Sequence, residues 1–191
     1  YIELKNKKPI SKLEDFKTLD EVKNKDSYGR ILEDDELIVD IDSAKEAEKL
    51  LEIVKSENIG TRVYKTSRGM HFLFKNPYKI KNAIHSNTPI GLSVDIKTGK
   101  NNSYQILKHD GVLREIIYDK SPIDNIPKWL FPFNHKTNYL DMRDGDGRND
   151  ELFRSIIPMS KLNMNKEEIE NTLTLVNKYM FAEQLNNSEI R

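Results

Sequence analysis

Leu37-Ile38-Val39-Asp40-Ile41-Asp42-Ser43-Ala44-Lys45-Glu46 joins an alternating apolar run directly to the start of a helix. Leu37, Val39 and Ile41 fall on one face of a strand, and Ile38, Asp40 and Asp42 on the other. Ser43 followed by Glu46 is an S-x-x-E capping box. Ala44, Ala47, Leu50, Leu51 and Val54 then recur at helical period, and Gly60 is the expected stop. A strand that runs straight into a capped helix sets the plan for what surrounds it.

Downstream, Thr61–Thr66 and Met70–Lys75 alternate on either side of Ser67-Arg68-Gly69, a hairpin signal. Further strands are expected at 90–97, 103–108 and 112–118, with turns at 99–102 and 109–111. The first thirty residues show weak periodicity and read as a short helix or irregular lead-in. Past the Pro-bearing stretch 121–132 and the polar run 141–149, helical patterns occupy about 150–163 and 166–181. Pro158 is expected to kink or break the first of these, and Asn165 with Glu168 to cap the second. The fold class is α+β: a mixed or antiparallel sheet with flanking helices over 1–135, a linker at 136–148, and a small all-α domain over 149–191.

With 191 residues the chain is long enough to bury a core, although 32% of its residues are charged. No apolar run is long enough to span a membrane, and no membrane partner is expected. Having no cysteine, the chain has no disulfides, thiol nucleophile or cysteine-based zinc site, which fits a reducing cytoplasm. A chain opening on Tyr1 is expected to be part of something longer. The formal charge is zero, yet this is a cancellation. Residues 31–60 hold 3 basic and 10 acidic groups, and residues 61–120 hold 11 basic and 4 acidic ones. Charge acts over about a Debye length, so neutrality of the whole does not exclude a nucleic-acid partner.

Three constellations carry chemistry. Asp40 and Asp42, at i and i+2 on one strand face, can share hard divalent cations; the plain alternative is that Asp42 helps to cap the helix. In Ser67-Arg68-Gly69-Met70-His71, an imidazole stands beside a turn whose hydroxyl and amides can take phosphate oxygens. Asp95 and Lys97 share a face in Val94-Asp95-Ile96-Lys97, either as a surface ion pair or as a further ligand beside a phosphate-binding cation.

In this order the three motifs resemble the archaeo-eukaryotic primase superfamily, specifically the bifunctional primase-polymerase domains of phage and plasmid replication proteins. The resemblance covers about residues 28–120. The segment from Gly147-Arg148-Asn149 through Asn177 and Ser188-Glu189 is similar to the helical primase C-terminal domain that follows in such proteins. The resemblance implies an RRM-like catalytic core, with Asp40, Asp42 and Asp95 as catalytic ligands of two divalent ions, Mg²⁺ or Mn²⁺. It implies Ser67, Arg68, Gly69, His71 and Lys97 as nucleotide-binding residues. Arg62, Lys65 and Lys75 are candidates for DNA phosphates, and Tyr104, with Phe72, Phe74 and Tyr78, for base stacking. Arg68 stands where many relatives carry a small residue, and no zinc stem exists.

The implied activity is template-dependent nucleotidyl transfer in the replication of a phage, plasmid or other mobile element, in a bacterial host cytoplasm. Its partners are a single-stranded DNA template, a primer, nucleoside triphosphates and a helicase domain elsewhere in the full-length protein. The competing expectation is a catalytically idle module that binds single-stranded DNA at a replication origin. A nucleotide-sugar transferase with a D-x-D site ranks last, because it leaves His71 and Asp95 unexplained. Asp141–Leu152 resembles a calcium loop, but Asp146 and Leu152 stand where that loop needs Gly and Glu. His85, His109 and His135 lack partners at metal-ligand spacing and are expected at turns.

Overall fold

A computed structural model describes residues 1–101 and 103–186. Asn102 and Ser188-Glu189, named above, lie outside the described residues. The chain is α+β, with antiparallel strand pairs and several helices. It divides into two compact units, 1–40 with 60–82 and 96–125, and 41–59 with 83–95 and 126–191.

The first unit holds a five-stranded antiparallel sheet. Its order is β10 (Val112–Leu113), β9 (Tyr104–His109), β3 (Tyr28–Ile31), β1 (Ile2–Lys5) and β2 (Lys8–Pro9). The first thirty residues, expected as a short helix or irregular lead-in, hold one short helix, α1 (Leu19–Val22), and in addition the strands β1, β2 and most of β3. In β1 the alternation lasts only four residues: Ile2 and Leu4 are buried, and Glu3 reaches out to Lys17 and Lys25 at 3.2 and 3.3 Å. That run is too short to stand out against its lysine-rich surroundings.

The same unit holds neighbouring strands of a second sheet, in the order β11 (Ile116–Asp119), β5 (Arg62–Lys65), β6 (Met70–Lys75), β4 (Glu36–Ile41) and the C-terminal half of β8 (Ser93–Thr98). The β5–β6 hairpin is antiparallel, with Tyr64 opposite His71 and Lys65 opposite Met70. Both faces of these strands are covered. Phe72 and Phe74 are fully buried, and Ile38 packs with Leu32 and Leu73 on the face that also carries Asp40 and His71. Phe72 and Phe74 are therefore core residues rather than base-stacking platforms.

In the second unit, β7 (Ala83–Asn87) pairs with the N-terminal half of β8, and α2 (Ala44–Ser56) buries Ala47, Leu50, Ile53 and Val54. Ser43 caps α2 through the Glu46 amide, at 3.4 Å, but the reciprocal arm of the box is absent. The Glu46 carboxylate instead accepts from the Ser93 amide at 3.0 Å. α2 ends before Gly60, and Asn58 takes the left-handed conformation (φ 56°). Gly60 serves another purpose in the first unit, where a Cβ would sit 1.9 Å from the Pro122 carbonyl oxygen.

α3 (Arg148–Ser160) runs through Pro158, which lies in its last turn: position 158 has no amide for the Arg154 carbonyl, but little helix remains beyond it to be broken. α4 (Lys166–Leu175) opens on the Asn165–Glu168 capping box, with bonds of 2.8 and 2.9 Å. A π turn (Val176–Met180) follows. It turns Asn177 inward, where the amide donates to the Leu185 carbonyl (3.1 Å) and accepts from the Leu185 amide (2.6 Å). Among the described residues no helix is long and apolar enough to cross a membrane.

Candidate active site

Because β6, β4 and β8 are neighbours, three of the motif side chains meet in the first unit. Lys97 Nζ donates to Asp40 Oδ2 at 2.6 Å, and His71 Nε2 lies 3.2 Å from Asp40 Oδ1. A fourth residue completes the row: the Arg114 guanidinium is 3.0 Å from His71 Nδ1. Arginine has donors only, so Nδ1 must be the acceptor, and the neutral ring then carries its proton on Nε2, facing Asp40. The order Arg114, His71, Asp40, Lys97 is a chain of donors converging on one carboxylate. A histidine can be neutral or protonated, and this geometry selects the neutral ring.

The electrostatics agree. Burial is the largest influence on His71 and lowers its pKa; Asp40 opposes that, while Arg114 and Lys97 add to it. Burial also works against the Asp40 charge, but His71 and Lys97 outweigh it and hold the carboxyl well below the usual carboxylate range. Asp40 Oδ1 is nevertheless buried without a hydrogen bond of full quality, since the approach of Nε2 is poorly aligned. Its partner oxygen is satisfied by Lys97. Oδ1 is thus the less well satisfied of the two carboxylate oxygens, with His71 facing it.

The other two acidic residues belong to the second unit. Asp42 is exposed immediately before the Ser43 cap. Asp95 Oδ1 accepts from the His85 backbone amide at 2.7 Å, and the exposed His85 ring lies 3.8 Å away. Among the described residues, no group of three or more histidine, aspartate or glutamate side chains is arranged to hold a metal ion.

Ser67 lies in an open cleft of about 390 Å³ in the first unit, together with Lys7, Lys65, His109 and Arg114. The turn amides at 68 and 69 do not face it freely. Thr66 Oγ1 accepts from Gly69 N at 3.0 Å and from Arg68 N at 3.4 Å. Arg114 is half-buried, has no carboxylate within ion-pair distance among the described residues, and has its pKa lowered first by burial. A desolvated guanidinium with unused donors in a cleft is an oxyanion site. Neither Lys7, His109 nor Arg114 stood out in the sequence as a ligand-binding residue. Arg114 lies in the two-residue gap between β10 and β11, where no periodicity marks it.

The DNA-contact candidates divide. Arg62 is paired with Asp119 at 3.0 Å, and Lys75 with Asp35 and Glu33 at 3.0 and 3.3 Å. Tyr104 donates its hydroxyl to the Lys7 carbonyl at 2.8 Å. Lys65 makes no side-chain ion pair among the described residues and lines the cleft. Compared with known proteins, the chain matches no family model, no curated protein and no solved structure.

Proposed function

We propose that the chain is a primase-polymerase: a template-dependent nucleotidyltransferase that uses two divalent ions to join nucleotides on single-stranded DNA, in the bacterial host of a phage, plasmid or other mobile element. The observation that carries this reading is the Arg114–His71–Asp40–Lys97 row, which ends at the Ser67 cleft. It supplies a buried carboxylate, one oxygen of which lacks a well-aligned hydrogen bond, close to donors suited to a triphosphate. Asp40, Asp42 and Asp95 would hold the cations, a ligand set supported by the order of the three motifs. When bound, such cations activate an attacking hydroxyl and neutralise a pyrophosphate leaving group.

The chain's own residues have separate tasks. His71, neutral and held between Arg114 and Asp40, positions both of them without adding charge of its own. Lys97 and Arg114 supply fixed positive charge, and the Ser67 hydroxyl and Lys65 lie along the cleft that a triphosphate or strand would occupy. Residues 1–135 would form the catalytic core and 149–191 a helical primase domain, with a helicase elsewhere in the full-length protein.

The second reading, an idle single-stranded DNA-binding module, draws on one observation. Lys97 already neutralises Asp40, as in a carboxylate retained without a metal. Primer extension with Mg²⁺ or Mn²⁺, comparing wild type with Asp40→Ala and Asp95→Ala, separates the two. Incorporation abolished by both substitutions supports the polymerase; incorporation that survives them overturns the ligand assignment. Retained DNA binding with no incorporation under either metal favours the idle module.

A further inference from the structure

The second unit contains a cleft of about 440 Å³ that none of the three motifs lines, and the only tryptophan of the chain lies in its wall. Trp129 sits in the middle of a 3-10 turn (Lys128–Leu130) whose neighbours are firmly held. Leu130 is fully buried, and Lys128 Nζ bonds both the Asn163 carbonyl and Glu168 at 2.8 Å. The turn that carries the indole is therefore fixed in place, and Trp129 itself remains half-exposed. Tryptophan is a large apolar body with one polar edge, and its indole N–H makes no hydrogen bond among the described residues.

The opposite wall is one helical face. Asn171, Thr174, Leu175 and Lys178 follow one another at i, i+3, i+4 and i+7 along α4 and the π turn. The Asn171 amide is exposed and has both its donor and its acceptor unused among the described residues. Thr174 donates to the Glu170 carbonyl at 2.8 Å and keeps its lone pairs available. Lys178 is neutralised by Glu57 at 3.0 Å, and Glu57 is further fixed by the Tyr179 hydroxyl at 2.6 Å. The cleft thus carries no net charge and does not select an anion. It offers a rigid aromatic plane and an unpaired amide edge, which suit a flat, uncharged, hydrogen-bonding ring.

We propose that this cleft is a stacking subsite for one base of a single-stranded nucleic acid, held against Trp129 and read at its edge by Asn171. The identity of the ring as a nucleobase rests on the nucleic-acid partner proposed above. The subsite itself requires neither metal nor catalysis.

Because Trp129 is the only tryptophan, tryptophan emission excited at the red edge, where the tyrosines do not absorb, reports on this cleft alone. Short oligothymidylate and oligodeoxyadenylate are titrated into the wild-type protein in EDTA, and anisotropy of the same labelled oligonucleotides is read in parallel. The expected result is saturable quenching that follows the anisotropy. Trp129→Leu is expected to weaken binding about tenfold, while Trp129→Phe, which keeps an aromatic face, stays within about threefold. Oligonucleotide binding without any change in tryptophan emission overturns the proposal, as does the absence of binding. Quenching by a neutral oligosaccharide but not by the oligonucleotides also overturns it and assigns the cleft to sugars. Quenching in a protein that fails primer extension leaves this subsite standing and removes only the catalytic reading.

Discussion

Replacing Asp40 by asparagine preserves shape and tests the logic of the whole row. The amide introduced by Asp40→Asn can turn its oxygen to Lys97 or to His71, and its NH₂ must then face the other, which is also a donor. His71 cannot accept by changing tautomer, because Nδ1 is already the acceptor for Arg114 at 3.0 Å. One buried donor is left unpaired, and a charge-assisted bond is lost. Lys97 is 40% exposed and can swing into water, so little of the cost falls there. Together these losses amount to about 3–5 kcal/mol. Arg114→Leu alone removes one bond, at about 1 kcal/mol. In the Asp40→Asn background, however, it frees the ring to move its proton to Nδ1 and accept the new NH₂ at Nε2. The double variant is then expected to be about 1–2 kcal/mol more stable than the sum of the two single changes. Urea unfolding of all four proteins in EDTA, read as midpoint and slope, measures this. Additivity within about 0.5 kcal/mol, or an Asp40→Asn cost below about 1 kcal/mol, would refute the donor chain. The stability gap between wild type and Asp40→Asn has a defined pH dependence. The folded carboxyl is held below its unfolded value of about 3.9, so the gap is fully present above about pH 4 and shrinks progressively as pH falls below it.

Three further outcomes are expected. Burial holds the His71 pKa below that of the unfolded chain, so the unfolded state takes up the proton first. Stability should therefore fall as pH drops below about 6.5, with a slope of at most about 1.4 kcal/mol per pH unit, and His71→Gln should remove this component from a series of urea midpoints. A Cβ at Gly99 would lie 1.7 Å from the Glu33 carbonyl oxygen, so Gly99→Ala should cost about 3 kcal/mol and lower Tm by about 6–12 °C. Gly145 has no neighbour within 4 Å and a φ of 87°, so Gly145→Ala should cost only about 1–2 kcal/mol of backbone strain in the same calorimetric scan. Equal losses at both positions would contradict the close approach at Gly99.

What could be read from the sequence depended on how local each signal was. β4, α2 and the β5–β6 hairpin were legible because alternation, helical period and turn residues all lie within a few positions of one another. Asp40, His71 and Lys97 could be placed on matching faces for the same reason. Arg114 could not, because its meeting with a histidine 43 residues earlier depends on tertiary approach alone. The Glu46 carboxylate has the right spacing for a capping box, yet a distant amide at Ser93 competes successfully for it. Gly60 looked like a helix stop, whereas a neighbouring carbonyl is what demands a glycine there. In each case a local preference gave way to a partner that only folding brings near.

The inward turn of Asn177 sets both hydrogen-bonding ends of one amide against Leu185. Deamidation of that side chain would exchange the amide donor facing the Leu185 carbonyl for a carboxylate oxygen, setting two acceptors against each other in a buried place. Only the Leu185 amide would still be served. An Asn177→Asp change would thus loosen Leu185, while Ala182 stays tied to the Met142 carbonyl and Glu183 to Arg148.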